Sequence, residues 1–239
     1  MIFKEDSVFV LDKPPGMTSQ QAVTWIKKTL NLKKGGHTGT LDPLATGVLI
    51  ILTGKATKLA QRFSHFEKEY IATLELGKTS DTYDIDGQII ATASVPYISM
   101  DKIRETIQPF IGDIIQTPPP YSAKKVKGKR LYWYARRNIT VKPKPHPVTI
   151  HAIEVAKLDL PFVEMSVVCS TGTYIRSLIQ DIGILLGCGA IMTSLRRTKI
   201  GPFKLSDSVG FKSVESRDFV HFTVDRVTKI LDENIHNPS

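Results

Sequence analysis

Residues 35–49 read GGHTGTLDPLATGVL, and they lead directly into the apolar run Val48–Leu52. Glycines at 35, 36, 39 and 47 permit backbone conformations that other residues avoid, and they allow another chain to approach closely. Pro43 restricts the preceding Asp42 to extended geometry. The stretch therefore predicts a loop that presents one carboxylate in a fixed pose before a buried strand. The residues alone leave open that Asp42 and Pro43 form an ordinary turn.

Segments with the alternating apolar pattern of a strand and segments with the apolar stripe of a helix surround this loop. The patterns predict strands at 7–11, 48–52, 70–76, 88–92, 148–157 and 162–170, and helices at 20–30, 53–63, 100–110 and 173–186. Thr53 and Ser99 are expected to cap two of these helices, because hydroxyl side chains accept from the first free N–H groups. Strands and helices are mixed without regular alternation, which favours an α+β fold.

The composition indicates a globular protein with a polyanionic partner. The chain has 239 residues, 41% of them hydrophobic, and a formal net charge of +9. This charge favours nucleic acid first and an anionic membrane surface second, although a solvated basic surface gives the same balance. No nucleotide-binding glycine motif occurs, so we expect no nucleotide cofactor.

Cysteine content and the N-terminus bear on the compartment. Cys169 and Cys188 lie in apolar surroundings and lack metal-ligand spacing. They predict reduced thiols, no metal site and a cytoplasmic location. Met1–Asp6 contains early acids and no long apolar run, so we expect neither a signal peptide nor a membrane span.

A long basic segment follows the middle of the chain. Ile114–Ile153 contains no Asp or Glu, whereas its cations are Lys124, Lys125, Lys127, Lys129, Arg130, Arg136, Arg137, Lys142 and Lys144. Tyr121 and Tyr132-Trp133-Tyr134 are interleaved with them. Cations for phosphates and aromatic rings for stacking are typical of an arm that contacts RNA. The alternative is a solvated loop whose aromatic residues pack back on the body.

Each of three further residues has two alternative interpretations. Arg176 falls in the first turn of its helix, where a cation is disfavoured unless an anion lies nearby, so we expect either a carboxylate or phosphate partner or an exposed guanidinium. Tyr70 lies on the apolar face of its strand and is a core residue or a functional one. His37 is a turn residue or a functional one.

Several motifs, in order along residues 7–205, resemble those of the TruB family of tRNA pseudouridine synthases. Residues 36–49 match the family pattern G-H-T-G-x-L-D-P-x-A-x-G-x-L, and 12–19 match D-K-P-x-G-x-T-S. The other matches are Lys68-Glu69-Tyr70, the turn 79–87, the basic segment 116–137, the stretch 169–176 (CSTGTYIR) and Leu195-Arg196-Arg197.

The resemblance implies the pseudouridine synthase fold: one α+β domain with a mixed, largely antiparallel sheet, flanking helices and a basic insertion arm. The catalytic domain would span 1–211 with the arm at 114–150, and 212–239 would be a short extension without an independent core. Family roles would make Asp42, Tyr70 and Arg176 catalytic, with Arg176 beside Asp42. His37, Tyr70, Tyr174, Leu195, Asp84 and Lys13 would bind the substrate, and Lys124, Lys125, Lys127, Lys129 and Arg130 would bind the RNA backbone.

The implied reaction is isomerisation of uridine 55 in the tRNA T loop, with no cofactor and no metal. The implied partner is the T stem-loop of tRNA, which the arm would close over, and the enzyme would act as a monomer without an obligate protein partner. Two other functions stay open: a non-catalytic protein that binds tRNA and assists its folding, and a guide-RNA-dependent synthase of the dyskerin kind.

Overall fold

The computed structural model describes residues 6–137 and 139–236, with residues 234–236 by their backbone alone. The expectation of no signal peptide concerns Met1–Asp6, and the first five of these residues lie outside the described part. Within that part, no helix is long and apolar enough to cross a membrane.

The elements are as follows. In chain order the strands are β1 (Ser7–Lys13), β2 (Gly35–Thr38), β3 (Thr46–Thr53), β4 (Lys68–Leu76), β5 (Lys78–Ser80), β6 (Ile89–Thr92), β7 (Gly112–Gln116), β8 (Lys125–Val126), β9 (Lys129–Arg130), β10 (His146–Asp159), β11 (Phe162–Cys169), β12 (Ala190–Ile200), β13 (Phe203–Lys204), β14 (Ser208–Val209) and β15 (Phe222–Thr223). The α-helices are α1 (Ser19–Thr29), α2 (Met100–Ile107), α3 (Leu131–Ala135), α4 (Ile175–Leu185), α5 (Phe211–Glu215) and α6 (Val224–His236). Three 3-10 helices span Gly54–His65, Gln108–Phe110 and Leu205–Asp207.

The chain divides into two compact units. Met1–Tyr70 and Arg196–Ser239 form the first unit, and Ile71–Leu195 forms the second. Strands β4 and β12 each have residues in both units.

The first unit is built around β3. Strand β1 runs antiparallel to it on one side, and β12 runs parallel to it through Arg196 and Arg197 on the other. Residues 47–53 of β3 are all buried, as the uninterrupted apolar run predicts for a central strand. Helix α6 adds Val227 and Leu231 to the core cluster that contains Val8 and Ile50.

The second unit has the strand order β12-β4-β11-β10-β7. The pairs β10–β11 and β7–β10 are antiparallel. Helix α4 buries its predicted apolar stripe, with Ile175, Leu178, Ile179 and Ile182 inside and Leu186 half-buried just after its end. Both cysteines are buried, and neither forms a disulfide. With only β1–β14 and β3–β12 described as parallel strand pairs, the prediction of an α+β fold with a largely antiparallel sheet is confirmed.

Two local predictions need correction. The Thr53 hydroxyl does not cap the following helix, because it exchanges hydrogen bonds of 3.0 and 3.1 Å with the main chain of Ser7. The segment after it is a 3-10 helix, and the helix predicted to reach residue 110 ends as α2 at Ile107. Ser99 does cap α2 by accepting from the N–H of Lys102, as predicted.

Candidate functional site

The Asp42 loop joins β2 to β3 in the first unit, and main-chain contacts fix it on both sides of the carboxylate. The hydroxyl of Ser19 accepts from the Leu41 N–H at 2.8 Å and donates to the Leu41 carbonyl at 3.0 Å. The carbonyl of Asp42 accepts from Ala45 at 3.1 Å, and that of Pro43 accepts from Gly16 at 2.9 Å. Asp42 is half-buried in this setting. These contacts hold the main chain of the loop, and the bond from Ala45 to Asp42 closes a turn at Asp42 and Pro43, as the residues alone also allow. A catalytic role of the carboxylate stays a prediction.

Lys13 lies beneath this loop and is fully buried. Its ammonium donates to the carbonyls of Pro14, Met17 and Pro43 at 2.8, 2.7 and 3.2 Å, which uses all three of its donors. Burial lowers its pKa to about 8, while the charge of Asp42 acts in the opposite direction. Lys13 therefore ties the turn after β1 to the Asp42 loop. Its role in substrate binding stays a prediction.

Arg197 is a site residue to which the motifs alone assign no role. Its side chain is 1% exposed, and it donates to the carbonyls of Val48 and Gly39 at 2.8 and 2.7 Å. Gly47 has a φ of +95°, and a Cβ there would lie 2.2 Å from the Arg197 carbonyl oxygen. The glycine thus permits close contact between β3 and β12. The sequence feature that could have pointed to Arg197 is a pair of arginines, Arg196 and Arg197, within a strand of buried residues.

His37 and Tyr70 also belong to the first unit. His37 lies in β2 opposite Ile51, and burial followed by the charge of Arg197 lowers its pKa, which favours a neutral ring. Its Nδ1 is buried and has no hydrogen-bond partner within the described residues. Tyr70 is buried on β4, on the strand face predicted to be apolar. Whether either residue touches a substrate stays a prediction.

Arg176 and Asp84 form a buried pair in the second unit. Arg176 Nε lies 3.6 Å from Asp84 Oδ2, and both side chains are under 10% exposed. The other guanidinium nitrogens donate to the carbonyls of Thr82 at 2.9 Å and Tyr121 at 3.0 Å. Asp84 is therefore one carboxylate beside Arg176, and the alternative of an exposed guanidinium is wrong. The expectation that Arg176 lies beside Asp42 stays a prediction.

The turn that carries Asp84 is tightly organised. Thr82 donates to Asp84 Oδ1 at 2.5 Å, and the N–H of Asp86 donates to the same oxygen at 3.2 Å. Tyr83 adopts a positive φ of 66°, and its carbonyl accepts from Met192 at 3.0 Å. The carboxylate is therefore held on its own turn as well as by Arg176.

Tyr174 and Leu195 complete the predicted pocket residues of the second unit. Tyr174 stands at the N-terminus of α4, where the Gln116 side chain bonds its N–H at 2.7 Å and its carbonyl at 3.0 Å. Its ring lies edge-on to His146, with 6.1 Å between centroids. Leu195 is buried in β12. Their contacts with a substrate stay predictions.

The basic arm folds as a short hairpin, β8–β9, followed by helix α3. Its cations at 124, 125, 127, 129, 130, 136 and 137 are all exposed, whereas Leu131 is buried. Lys129 Nζ lies 3.6 Å from the centre of the Trp133 ring, and the Arg137 guanidinium carbon lies 4.1 Å from it. The ring of Trp133 therefore carries two cations of the arm itself. Such a surface suits a polyanion.

Among the described residues, no group of three or more His, Cys, Asp or Glu side chains is arranged to hold a metal ion. The arrangement offers instead a carboxylate on a rigid loop, a buried Arg–Asp pair and an exposed basic arm.

Comparison with known proteins gives consistent matches. Residues 27–175 match the model for the N-terminal domain of TruB family pseudouridylate synthases, and residues 176–235 match that for the tRNA pseudouridylate synthase B C-terminal domain. The chain is 47% identical to tRNA pseudouridine synthase B of Endomicrobium trichonymphae over 89% of this chain and 93% of that protein. It is 46% identical to the protein of the same name from Aromatoleum aromaticum, over 88% and 68% of the two chains.

Solved structures show the same likeness. A Cbf5-Nop10-Gar1 complex matches with a TM-score of 0.70 and 38% identity over 89% of this chain and 54% of the other. An H/ACA RNP bound to a substrate RNA containing 2′-deoxyuridine matches with a TM-score of 0.67 and 35% identity, over 89% and 53%. The chain spans about half the length of each of these two relatives.

Proposed function

Because this chain belongs to the TruB family of pseudouridylate synthases, we propose that it converts uridine 55 in the T loop of tRNA to pseudouridine. The observation that carries the proposal is Asp42, a half-buried carboxylate on a loop that Ser19, Lys13 and Arg197 fix through its main chain. Such preorganisation is what a group acting on a reacting atom requires.

The proposed reaction is an isomerisation. The N-glycosidic bond of the uridine breaks, the uracil turns and a bond forms from ribose to a ring carbon. That carbon then loses its proton, and the ring nitrogen released from the ribose gains one. Asp42 acts either as a nucleophile at the ribose or as a base that removes a ribose proton. Atoms are neither added nor removed, so the reaction needs no cofactor.

The remaining site residues take supporting roles in this proposal. Tyr70 stacks on the extruded uracil and is a candidate to take the proton from its carbon, and Arg176 belongs to the catalytic set with Asp84 as its partner. Tyr174, Leu195, Asp84 and Lys13 belong to the uridine site. His37 enters the T-loop stack in place of the flipped nucleotide. Filling that space would offset part of the unstacking cost, which is a few kcal/mol.

The basic arm binds the sugar-phosphate backbone of the T stem-loop. The exposed ammonium groups of Lys124, Lys125, Lys127 and Lys129, with the guanidinium of Arg130, support this role. We also propose that the protein acts as a monomer in the cytoplasm, without an obligate protein partner.

The similarity to Cbf5 complexes supports a second candidate, a guide-RNA-dependent synthase. The greater identity to proteins named tRNA pseudouridine synthase B favours direct action on tRNA. A binding protein without activity is less well supported, because tRNA binding alone does not require a fixed carboxylate and a buried Arg–Asp pair.

Incubation of the purified protein alone with unmodified tRNA separates these functions. We expect pseudouridine at position 55 by chemical mapping, and none with Asp42→Asn. Product that appears only after a guide RNA and partner proteins are added would support the second candidate. Tight tRNA binding without product under either condition would support the non-catalytic protein.

A further inference from the structure

The two ends of the basic arm meet at a single strand pair. Gln116 is the last residue of β7 and His146 is the first residue of β10. The two strands are antiparallel, and their register places Gln116 directly opposite His146. The hairpin β8–β9 and helix α3 lie between these two residues in the chain, so the arm leaves the sheet and returns to it at one point.

Both residues bind the segment that leads into α4. Gln116 accepts at Oε1 from the N–H of Tyr174 at 2.7 Å, and its Nε2 donates to the carbonyl of the same residue at 3.0 Å. His146 Nε2 lies 3.1 Å from the carbonyl oxygen of Gly172 and donates to it, because a carbonyl can only accept. The strand ends that carry the arm therefore hold the chain at Tyr174 and just before it.

The Gln116 side chain suits this contact because it is buried and neutral. The residue is 1% exposed, and its amide offers an acceptor to an N–H group and a donor to a carbonyl. Tyr174 is the N-cap residue of α4, with an extended backbone at φ −101° and ψ 106°, and its own side chain makes no capping bond. The main chain of Tyr174 is thus held by a side chain from another strand.

Helix α4 has other anchors besides this contact. The Ser177 hydroxyl donates to the Thr117 carbonyl at 2.8 Å. The apolar stripe of the helix is buried through Ile175, Leu178, Ile179 and Ile182. Loss of the Gln116 amide should therefore release the backbone of Tyr174 and leave the helix in place.

We propose that Gln116 is a positioning residue for the reaction: its amide fixes the main chain of Tyr174 and thereby sets where the Tyr174 ring stands in the uridine site. The inference rests on the proposed function, in which Tyr174 belongs to that site. The position matters because a misplacement of about 1 Å in a site can slow an enzyme about a hundredfold. Gln116 also lies at the base of the arm, so one side chain serves both the element that binds RNA and a residue of the uridine site.

Single-turnover kinetics on tRNA test this role with Gln116→Met. Methionine keeps the length of the side chain but has neither the N–H donor nor the carbonyl acceptor. We expect the rate constant at saturating enzyme to fall about tenfold, in the range of one lost hydrogen bond, and tRNA affinity to change less than about twofold. A parental rate constant would overturn the proposal.

Gln116→Glu supplies a version of the same contact that depends on pH. A protonated carboxyl group has an acceptor and a donor in the places of the amide, whereas a carboxylate has acceptors only and would face the Tyr174 carbonyl with one of them. Burial raises the pKa of a carboxyl group, so we expect the rate constant relative to the parent to be low at about pH 8 and to recover towards about pH 5.5. A ratio that does not change with pH would assign the effect to the volume of residue 116 and overturn the proposal.

Gln108 provides the matched control. It is exposed and lies in the 3-10 helix that precedes the same strand. Gln108→Met and Gln108→Glu are therefore expected to react at the parental rate at every pH. Each rate constant is divided by that of the parent at the same pH, which removes the effect of groups that all these proteins share, such as His146 opposite residue 116.

NMR of the free protein follows the Tyr174 ring without any RNA. Tyrosine labelled in the ring with an NMR-active carbon isotope gives signals from seven residues, and that of Tyr174 is assigned by its absence in Tyr174→Phe. We expect Gln116→Met to move this signal, Gln116→Glu to move it at high pH and return it on acidification, and Gln108→Met to leave it in place. An unmoved signal in Gln116→Met would overturn the positioning role even for an active enzyme. A moved signal in a protein whose parent is inactive on tRNA would instead contradict the proposed function.

Discussion

The pose of Asp42 depends on residues that touch the main chain around it. Ser19 holds Leu41, Gly16 and Lys13 hold Pro43, and Arg197 holds Gly39. A change confined to the carboxylate should therefore leave the loop in place. The effect of the charge at residue 42 on the reaction can therefore be measured separately from the structure of the loop.

Asp42→Asn is expected to abolish pseudouridine formation while tRNA affinity stays within about tenfold of the parent. The amide keeps the size of the side chain but cannot act as a nucleophile or base. Pseudouridine mapping and filter binding measure the two quantities. Product at more than a few per cent of the parental rate would show that another group performs the chemistry.

Tyr70→Phe separates stacking from proton transfer. The ring would remain to stack on the base, whereas the hydroxyl would be removed. If the hydroxyl takes the proton, we expect the reaction to stall after the uracil has reattached, with the intermediate detectable by mass spectrometry of the RNA. Tyr70→Leu should in addition weaken binding of the flipped uridine. Parental turnover by Tyr70→Phe would leave the tyrosine as a packing surface only.

Local determinants of the site can be predicted from the sequence more readily than distant ones. The Asp42 loop is predictable because Pro43 restricts its own backbone and that of Asp42, and because Gly39 and Gly47 permit the positive φ values that the loop adopts. Arg197 is not, because the carbonyls that it binds are 149 and 158 residues away in the chain. A partner of Arg176 could be predicted as a carboxylate or a phosphate, but only the fold identifies Asp84 as one such partner.

At the scale of elements, the basic arm combines an exposed charged surface with hydrogen bonds between its own hairpin and helix. Tyr134 donates its hydroxyl to the carbonyl of Val126 at 3.0 Å, which joins α3 to the hairpin. The charge pattern predicts the arm's chemistry but not this hairpin. Lys127 and Gly128 both have positive φ, at 48° and 81°, where Asn-Gly is the usual hairpin signal.

Replacing Lys124, Lys125, Lys127 and Lys129 with glutamine should weaken tRNA binding and flatten its dependence on salt. Each phosphate that is no longer neutralised should remove about 0.7–0.9 from the slope of log affinity against log salt. Affinity measured across a salt series checks this. The control neutralises four exposed lysines elsewhere, Lys28, Lys33, Lys58 and Lys212. A slope no flatter than that of the control would make the arm a solvated loop.

At the scale of the molecule, the last described helix belongs to the core of the first unit. Helix α6 buries Val227 and Leu231 against the cluster that contains Val8 and Val10. The sequence predicts no independent core for 212–239, and that boundary stays a prediction. Helix α6 itself is not among the predicted elements. Its apolar residues can be recognised as a buried face only when the strands on which they pack are known.

Leu231→Ala is expected to lower the free energy of unfolding by about 2–5 kcal/mol, the usual cost of a cavity left by a buried leucine. Denaturant titration measures this decrease. Val220→Ala, at a position that is 58% exposed, serves as the control and should change stability by less than about 0.5 kcal/mol. Equal effects of the two variants would mean that α6 does not share the core of the first unit.

The two buried thiols make this protein a convenient host for a fluorescent reporter. Cys169 and Cys188 are the two cysteines of the chain, and both are shielded from solvent. A maleimide dye added to the folded protein should therefore react with a single cysteine introduced at the hairpin turn of the arm, as in Lys127→Cys, and with little else. Emission from such a dye would follow the arm in real time as it meets an RNA.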